Sequence, residues 1–124
     1  MPPRRRRDPA QVDAAVAAVI GSLDAGTTPA RAQLALATRG LAERLAERAP
    51  GHHVELRVPP FTAVQCVQGP RHTRGTPPNV VEVDPVSFVA LCTGRLAWVD
   101  ATADGRVRTW GDRADLSAWL PLQL

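Results

Sequence analysis

The chain has 124 residues, the length of one domain, and 44% of them are hydrophobic, enough to form a buried core. Its net charge of +3 is concentrated at one end, because Arg4 to Arg7 hold four of the 15 cationic residues and residues 8–124 carry 11 cations against 12 acids. A body with a net charge of −1 argues against a broad nucleic-acid-binding face, so we predict no specific nucleic-acid partner.

The chain divides at its basic end. Met1 to Arg7 predict a solvated, disordered tail, with contact to RNA, DNA or anionic lipid as the alternative. Residues 8–124 predict a single domain with a helical hairpin over 8–50 and a sheet with helices over 52–122. Acidic residues interrupt the region where a signal peptide would lie, and no run reaches about 20 apolar residues. We therefore expect a cytoplasmic protein with at most peripheral membrane contact.

Two amphipathic helices are predicted first. Asp8-Pro9 combines an N-cap residue with a proline at the first helical position, and Gly26 ends this helix. Thr28-Pro29 repeats the signal for a second helix, which Pro50-Gly51 ends. Each helix has one apolar stripe, formed by Val12, Ala15, Val16, Val19, Ile20 and Leu23 in the first and by Leu34, Leu41 and Leu45 in the second. Neither helix can bury its stripe alone, so we expect the hairpin to pack on a sheet.

At least four strands are predicted. Val54 to Val58 alternates between apolar and polar residues, which is typical of a half-exposed strand. Phe61 to Gln68 has less distinct faces, which favours a central strand covered on both sides. Val80 to Val83 and Arg106 to Trp110 supply the other two. His52-His53 precedes the first strand with no further ligand at metal-binding spacing, so we predict no metal site and no cofactor.

The loop Gly69 to Asn79 is long for a compact domain, and loops of this length are usually functional or disordered. It contains Arg71, His72 and Arg74 and no acid. These side chains predict a site for a carboxylate, phosphate or sulfate head group. The alternative is structural: an arginine pairs with a nearby carboxylate or carbonyl, and the loop only crosses the end of the sheet.

Three helical segments are predicted in the C-terminal part. Asp84-Pro85 begins a buried helix that runs to Thr93 and stops at Gly94. A second segment, Leu96 to Ala103, stops at Gly105. After Gly111, Asp112 predicts an N-cap for a last amphipathic helix that carries Leu116, Trp119 and Leu120 on one face and ends before Pro121.

These C-terminal motifs resemble sterol carrier protein 2-like domains, most closely the small sterol carrier family proteins of actinobacteria. The resemblance covers roughly Val54 to Leu122 and rests on Asp84-Pro85-x-x-Phe88, Gly94-Arg95-x-x-Trp98, Asp104-Gly105-Arg106-Val107 and Gly111. It implies an α+β fold in which helices cover a mixed or antiparallel sheet of about five strands. It also implies an apolar ligand cavity. For Trp119 we predict ordinary core packing, with a lid over that cavity as the alternative that the resemblance suggests.

Three functions are compatible with these residues. The first is noncatalytic binding or transfer of a lipid or other apolar small molecule between sheet and helices, by a monomer or weak homodimer. Its candidate cavity residues are Val64, Cys66, Phe88, Leu91, Trp98, Trp110 and Trp119. The second is an interaction or regulatory module with a collapsed cavity that uses residues 69–79. The third, which we favour least, is a small enzyme using Cys66 or His72, because two cysteines in apolar surroundings predict free, buried thiols.

Overall fold

Two antiparallel helices open the structure. In the computed structural model, which describes residues 7–69 and 79–123, α1 spans Pro9–Asp24 and α2 spans Arg31–Arg48. The Asp8 carboxylate accepts a hydrogen bond from the N–H of Ala10 at 3.0 Å, so the predicted start of α1 is confirmed.

The predicted start of α2 is wrong by two residues. The helix begins at Arg31 with Ala30 as its N-cap, and no side chain caps it. Thr28 and Pro29 instead belong to an extended approach in which Pro29 is buried. Burial of the proline ring holds the chain outside the helix at the position where the sequence motif would begin it.

The two helices approach closely at Gly40. A Cβ atom added at Gly40 would lie 2.5 Å from Cγ1 of Val12, which is buried in α1. Ion pairs join the helices on the same side, between Arg44 and Asp13 at 2.8 Å and between Arg7 and Glu43. The absence of a side chain at position 40 therefore sets the spacing of the hairpin.

The sheet has four strands in the described residues, not the five that the resemblance implied. They are β1 (Val54–Val58), β2 (Thr62–Cys66), β3 (Asn79–Val83) and β4 (Val107–Trp110), in the order β2-β1-β3-β4. β1 and β3 are parallel and the other pairs antiparallel, so the sheet is mixed. The chain contains only four runs with strand-like patterns in this part, and each forms one strand.

β2 lies at the edge of the sheet, so its predicted central position is wrong. Among the strands that the structure describes, its one partner is β1, and its outward residues Ala63 and Gln65 are exposed. Its inward residues are Thr62, Val64 and Cys66, of which only Cys66 is fully buried. The two faces looked alike in sequence because the outward face carries the small apolar Ala63, not because a second layer covers it.

Two further helices follow β3: α3 (Pro85–Cys92) and α4 (Trp98–Ala103). The Asp84 carboxylate accepts a hydrogen bond from the N–H of Ser87 at 2.9 Å, which confirms the predicted N-cap. Gly94, with φ of 79°, follows α3 in the left-handed region as expected.

The predicted C-terminal helix does not form. Only a 3₁₀ turn, Ser117–Trp119, is present, and Asp112 caps nothing helical. Few residues separate Asp112 from Pro121, and an isolated helix of that length is marginal. The more extended path lets Leu116 and Leu122 both reach the core, and the N–H of Leu122 donates to the carbonyl oxygen of Cys92 at 3.0 Å.

The core lies between the helices and one face of the sheet. The inward residues of β1 alternate with Glu55 and Arg57 on the outer face, as predicted. The core is made of apolar residues from both layers, chiefly Val16, Val19, Leu41, Leu45, Val54, Leu56, Val58, Val81, Phe88, Val89 and Leu91. No helix in the described residues is long and apolar enough to cross a membrane.

A strained backbone connection follows β2. Val67 has φ of 68°, in the left-handed region that β-branched residues rarely adopt. Its N–H donates to Ala49 at 2.7 Å, and its carbonyl accepts from the N–H of His53 at 3.0 Å. Gly51 lies against this carbonyl, because an added Cβ there would be 2.1 Å from the Val67 oxygen.

We expect Asp84→Ala to lower the free energy of unfolding by about 1 kcal/mol, because the Ser87 N–H loses its cap. Denaturant midpoints of wild type and variant measure the change. Asp84→Asn is the control, since asparagine caps as well and should stay close to wild type. An unchanged midpoint in Asp84→Ala would show that this hydrogen bond does not stabilise α3.

Two glycine substitutions should act in opposite directions. Gly40→Ala should lower the free energy of unfolding by about 1–3 kcal/mol, because its methyl group would overlap Val12. Gly21→Ala in α1 has no atom within 4 Å of the added Cβ, so it should raise stability by up to about 1 kcal/mol through helix propensity. Thermal unfolding of both variants tests this, and equal effects would contradict the close helix contact.

Candidate functional site

Four of the predicted cavity residues lie on the inner side of the sheet. Cys66, Phe88 and Leu91 belong to the packed core and are at most 2% exposed. Val64 packs against the same core from the edge strand but remains half-buried. The structure thus brings these four to one layer, with Val64 at its accessible side.

The three tryptophans do not lie together. Trp98 and Trp119 are half-buried and pack against the core from α4 and from the C-terminal turn. Trp110 lies on the other side of the sheet. It pairs with Val80 of β3, which pairs with Glu55 of β1, and paired residues share a face, here the outer one. Its side chain is 50% exposed, and the Arg108 guanidinium lies 5.9 Å from its ring. The sheet therefore separates Trp110 from the other predicted cavity residues.

The predicted polar loop falls mainly outside the described residues, and Arg71, His72 and Arg74 are among those not described. Its two flanks are described and meet at His53. The Asn79 amide donates to the His53 carbonyl at 3.2 Å and accepts from the N–H of Arg113 at 2.9 Å. Gly69 lies against the His53 ring, where an added Cβ would be 2.5 Å from Cγ.

The accessible edge of the core is the contact between α2 and β2, which we call the α2–β2 seam. On α2 it comprises Ala35, Thr38 and Ala42, which share one face by their spacing; on β2 it comprises Thr62 and Val64. The Arg39 Nε donates to the Phe61 carbonyl at 3.2 Å before the strand. The Ala49 carbonyl accepts from Val67 after the strand. Hydrogen bonds to backbone carbonyls therefore fix both ends of the seam, with half-buried Val64 between them.

The seam contains one unusual polar atom. Thr38 is 0% exposed, and its hydroxyl oxygen is the one buried side-chain oxygen or nitrogen without a hydrogen-bond partner among the described residues. A buried hydroxyl without a partner is destabilising, and most such groups in proteins are paired. Half-buried Thr62 is the other polar residue of the seam, and its remaining members are apolar.

Two arginines flank the end of the seam that lies at the turn between β1 and β2, which we call its hairpin end. The guanidinium groups of Arg31 and Arg39 lie 5.1 and 5.6 Å from the centre of the Phe61 ring, within cation–π range. In the described part of the chain, neither lies within 4.0 Å of a carboxylate oxygen. This end of the seam therefore combines an aromatic ring with positive charge that no nearby acid neutralises.

Open surface clefts lie at both ends of the sheet. A cleft of about 370 Å³ lies at the turn between β1 and β2 and is lined by Arg57, Pro59, Pro60, Phe61, Thr62, Ala63 and Glu82. Arg57, Ala63 and Glu82 share one outer-face row, so this cleft opens on the side of the sheet away from α2. Another of about 450 Å³ lies at the opposite end and is lined by His53, Val67, Gln68, Asp112, Arg113, Asp115, Ser117, Ala118 and Trp119. Both volumes are in the range of small-molecule sites, and the first is the more apolar.

The two thiols are poorly suited to nucleophilic chemistry. Burial raises the pKa of Cys66 to about 11 and raises the pKa of Cys92 further. Both are free cysteines in the core, as predicted. The attacking species in thiol chemistry is the thiolate, which burial disfavours here. His72, the other residue of the least favoured, enzymatic hypothesis, lies outside the described residues.

The described histidines have local partners. The His52 ring contacts the side-chain oxygen of Gln65 on the outer face of β2, and His53 contacts Asn79. No group of three or more histidine, cysteine, aspartate or glutamate residues in the described ranges is placed to hold a metal ion.

Sequence reasoning missed Thr38 and the arginine pair at Phe61. A signal for Thr38 was present, since it occurs between Leu34 and Leu41 on the apolar stripe of α2, where a hydroxyl is out of place. The arginines gave no signal, because Phe61 comes beside them only through the tertiary contact between α2 and the β1–β2 turn.

A family model described as "Bacterial SCP ortholog" matches residues 30–122. The match includes α2, the whole sheet and the C-terminal turn, and it confirms and extends the resemblance found in the C-terminal motifs. No curated protein matches the chain.

We expect both thiols of the folded protein to resist a disulfide reagent such as DTNB at pH 8. With a pKa of about 11, roughly one Cys66 in a thousand is a thiolate at that pH. Unfolding in guanidinium should expose two reactive thiols per chain. Rapid modification of one thiol in the folded protein, faster than unfolding, would contradict the burial of that cysteine.

Proposed function

The chain belongs to the bacterial SCP ortholog family, a sterol carrier protein-like family, and on that premise we propose that it binds or transfers a lipid or another apolar small molecule without catalysis. We place the ligand in the α2–β2 seam, with its apolar part between α2 and the inner face of β2. This location agrees with the predicted cavity between sheet and helices.

The observation that carries the proposal is the incomplete burial of the inner face at β2. On β1 the inward residues are almost completely buried, whereas Thr62 and Val64 on β2 remain half-buried although they point to the same side. An apolar molecule inserted here would cover Val64 and complete the layer. Each methylene group removed from water contributes about 0.8 kcal/mol before ordering costs are subtracted.

The hairpin end of the seam suits the polar end of such a molecule. Phe61 lies there, and Arg31 and Arg39 beside its ring provide charge without a carboxylate partner in the described residues. Ligand sites are typically apolar with a few polar groups that fix orientation. The high thiol pKa of Cys66 supports a noncatalytic role, since that side chain borders the seam.

We expect a neutral fluorescent probe, N-phenyl-1-naphthylamine, to bind with micromolar affinity, equivalent to about 8 kcal/mol. Val64→Glu should weaken binding at least tenfold, because it places a carboxylate in the seam. Gln65→Glu is the matched control: it adds the same charge to the next residue of β2, on the outer face, and should change the affinity less than about twofold. Fluorescence titration of the three proteins measures the difference.

Equal effects of the two variants would contradict the seam as the binding site. Failure of the wild-type protein to bind any apolar probe would contradict the function itself. Native mass spectrometry of the purified protein provides an independent measurement, because a co-purified apolar molecule appears as added mass that Val64→Glu should reduce.

A further inference from the structure

Thr38 has a hydroxyl that the protein does not use. The residue lies in the middle of α2, it is 0% exposed, and its hydroxyl oxygen has no hydrogen-bond partner within residues 7–69 and 79–123. Valine has nearly the same shape and would fill this position without burying a polar group. The hydroxyl thus needs a reason other than packing.

Other helical threonines of this chain show what the hydroxyl normally does. Thr93 donates to the carbonyl of Val89 at 2.8 Å, four residues earlier, and Thr102 donates to the carbonyl of Trp98 at 3.0 Å. The equivalent acceptor for Thr38 is the carbonyl of Leu34, and that hydrogen bond is not made. The Thr38 hydroxyl therefore keeps its full capacity to donate and accept.

The surroundings of Thr38 are small and apolar. Ala35 and Ala42, one turn before and after it, share its face of α2 and are buried. α2 contacts β2, and Arg39, the residue after Thr38, donates to the Phe61 carbonyl just before that strand. Helical spacing therefore puts Thr38 beside the face of α2 that packs on β2, where half-buried Val64 is the accessible edge. An oxygen atom that reaches this depth would meet the Thr38 hydroxyl.

We propose that Thr38 is a specificity-determining residue, the polar anchor that hydrogen-bonds a hydroxyl or carbonyl oxygen of the ligand inside the seam. This inference rests on the proposed function and assigns the ligand a chemical class: an apolar skeleton carrying one neutral oxygen that enters the core. A pure hydrocarbon leaves the hydroxyl unpaired, and a charged oxygen at this depth would be desolvated without a counter-ion.

The test compares dodecanol with dodecane as competitors of N-phenyl-1-naphthylamine. Wild type should bind dodecanol more tightly than dodecane. Thr38→Val should weaken dodecanol binding about tenfold, as for one lost hydrogen bond, and leave dodecane within about twofold. Thr38→Ser, which retains a hydroxyl, should restore the preference for the alcohol. Thr93→Val is the control, because it removes a hydroxyl that is already bonded, and it should leave the preference unchanged.

Thermal unfolding without ligand supplies a second readout. Thr38→Val should melt at or above the temperature of wild type, whereas Thr93→Val should melt below it. Equal affinity of wild type for alcohol and hydrocarbon, equal losses in Thr38→Val, or a lowered melting temperature of Thr38→Val would each overturn the anchor while leaving the proposed function in place. Absence of binding by probe, alcohol and hydrocarbon alike would overturn both.

Discussion

Helix α2 packs against α1 at Gly40 on one side and is hydrogen-bonded to both ends of β2 on the other. The rest of the structure depends on these contacts, since a sheet with one apolar face needs a cover that lies close to it. Small residues dominate the buried surface of α2, so its backbone approaches both neighbours.

Predictions from sequence succeeded where the responsible interaction is local. The Asp84 cap, the glycine after α3 and the alternation in β1 each depend on residues within a few positions of one another. The position of β2 was wrong because strand order is decided by contacts between distant segments. The C-terminal helix was wrong because the core takes up Leu116 and Leu122 better from an extended chain than from a short helix.

For the candidate site, the sequence predicted only which face of the sheet its residues share. Val64 and Cys66 were correctly assigned to one face of their strand, and the structure places Phe88 and Leu91 on the same side. Trp110 was also among the predicted cavity residues, yet it lies on the face of the sheet away from the helices and is 50% exposed. Two features distinguish the seam from ordinary core: the buried Thr38 hydroxyl, which has no hydrogen-bond partner in the described residues, and the incompletely covered edge strand β2. Both depend on the tertiary contact between α2 and β2.

The contact between Gly51 and the backbone of Val67 restricts how this family of sequences can vary. The clash that any side chain at position 51 would cause is with a carbonyl oxygen, which every residue at position 67 possesses. No compensating substitution at position 67 can relieve it, unlike the contact at Gly40, where a smaller residue than Val12 would make room. A side chain at position 40 can therefore be compensated by a smaller residue at position 12. A side chain at position 51 requires a different backbone path between α2 and the sheet.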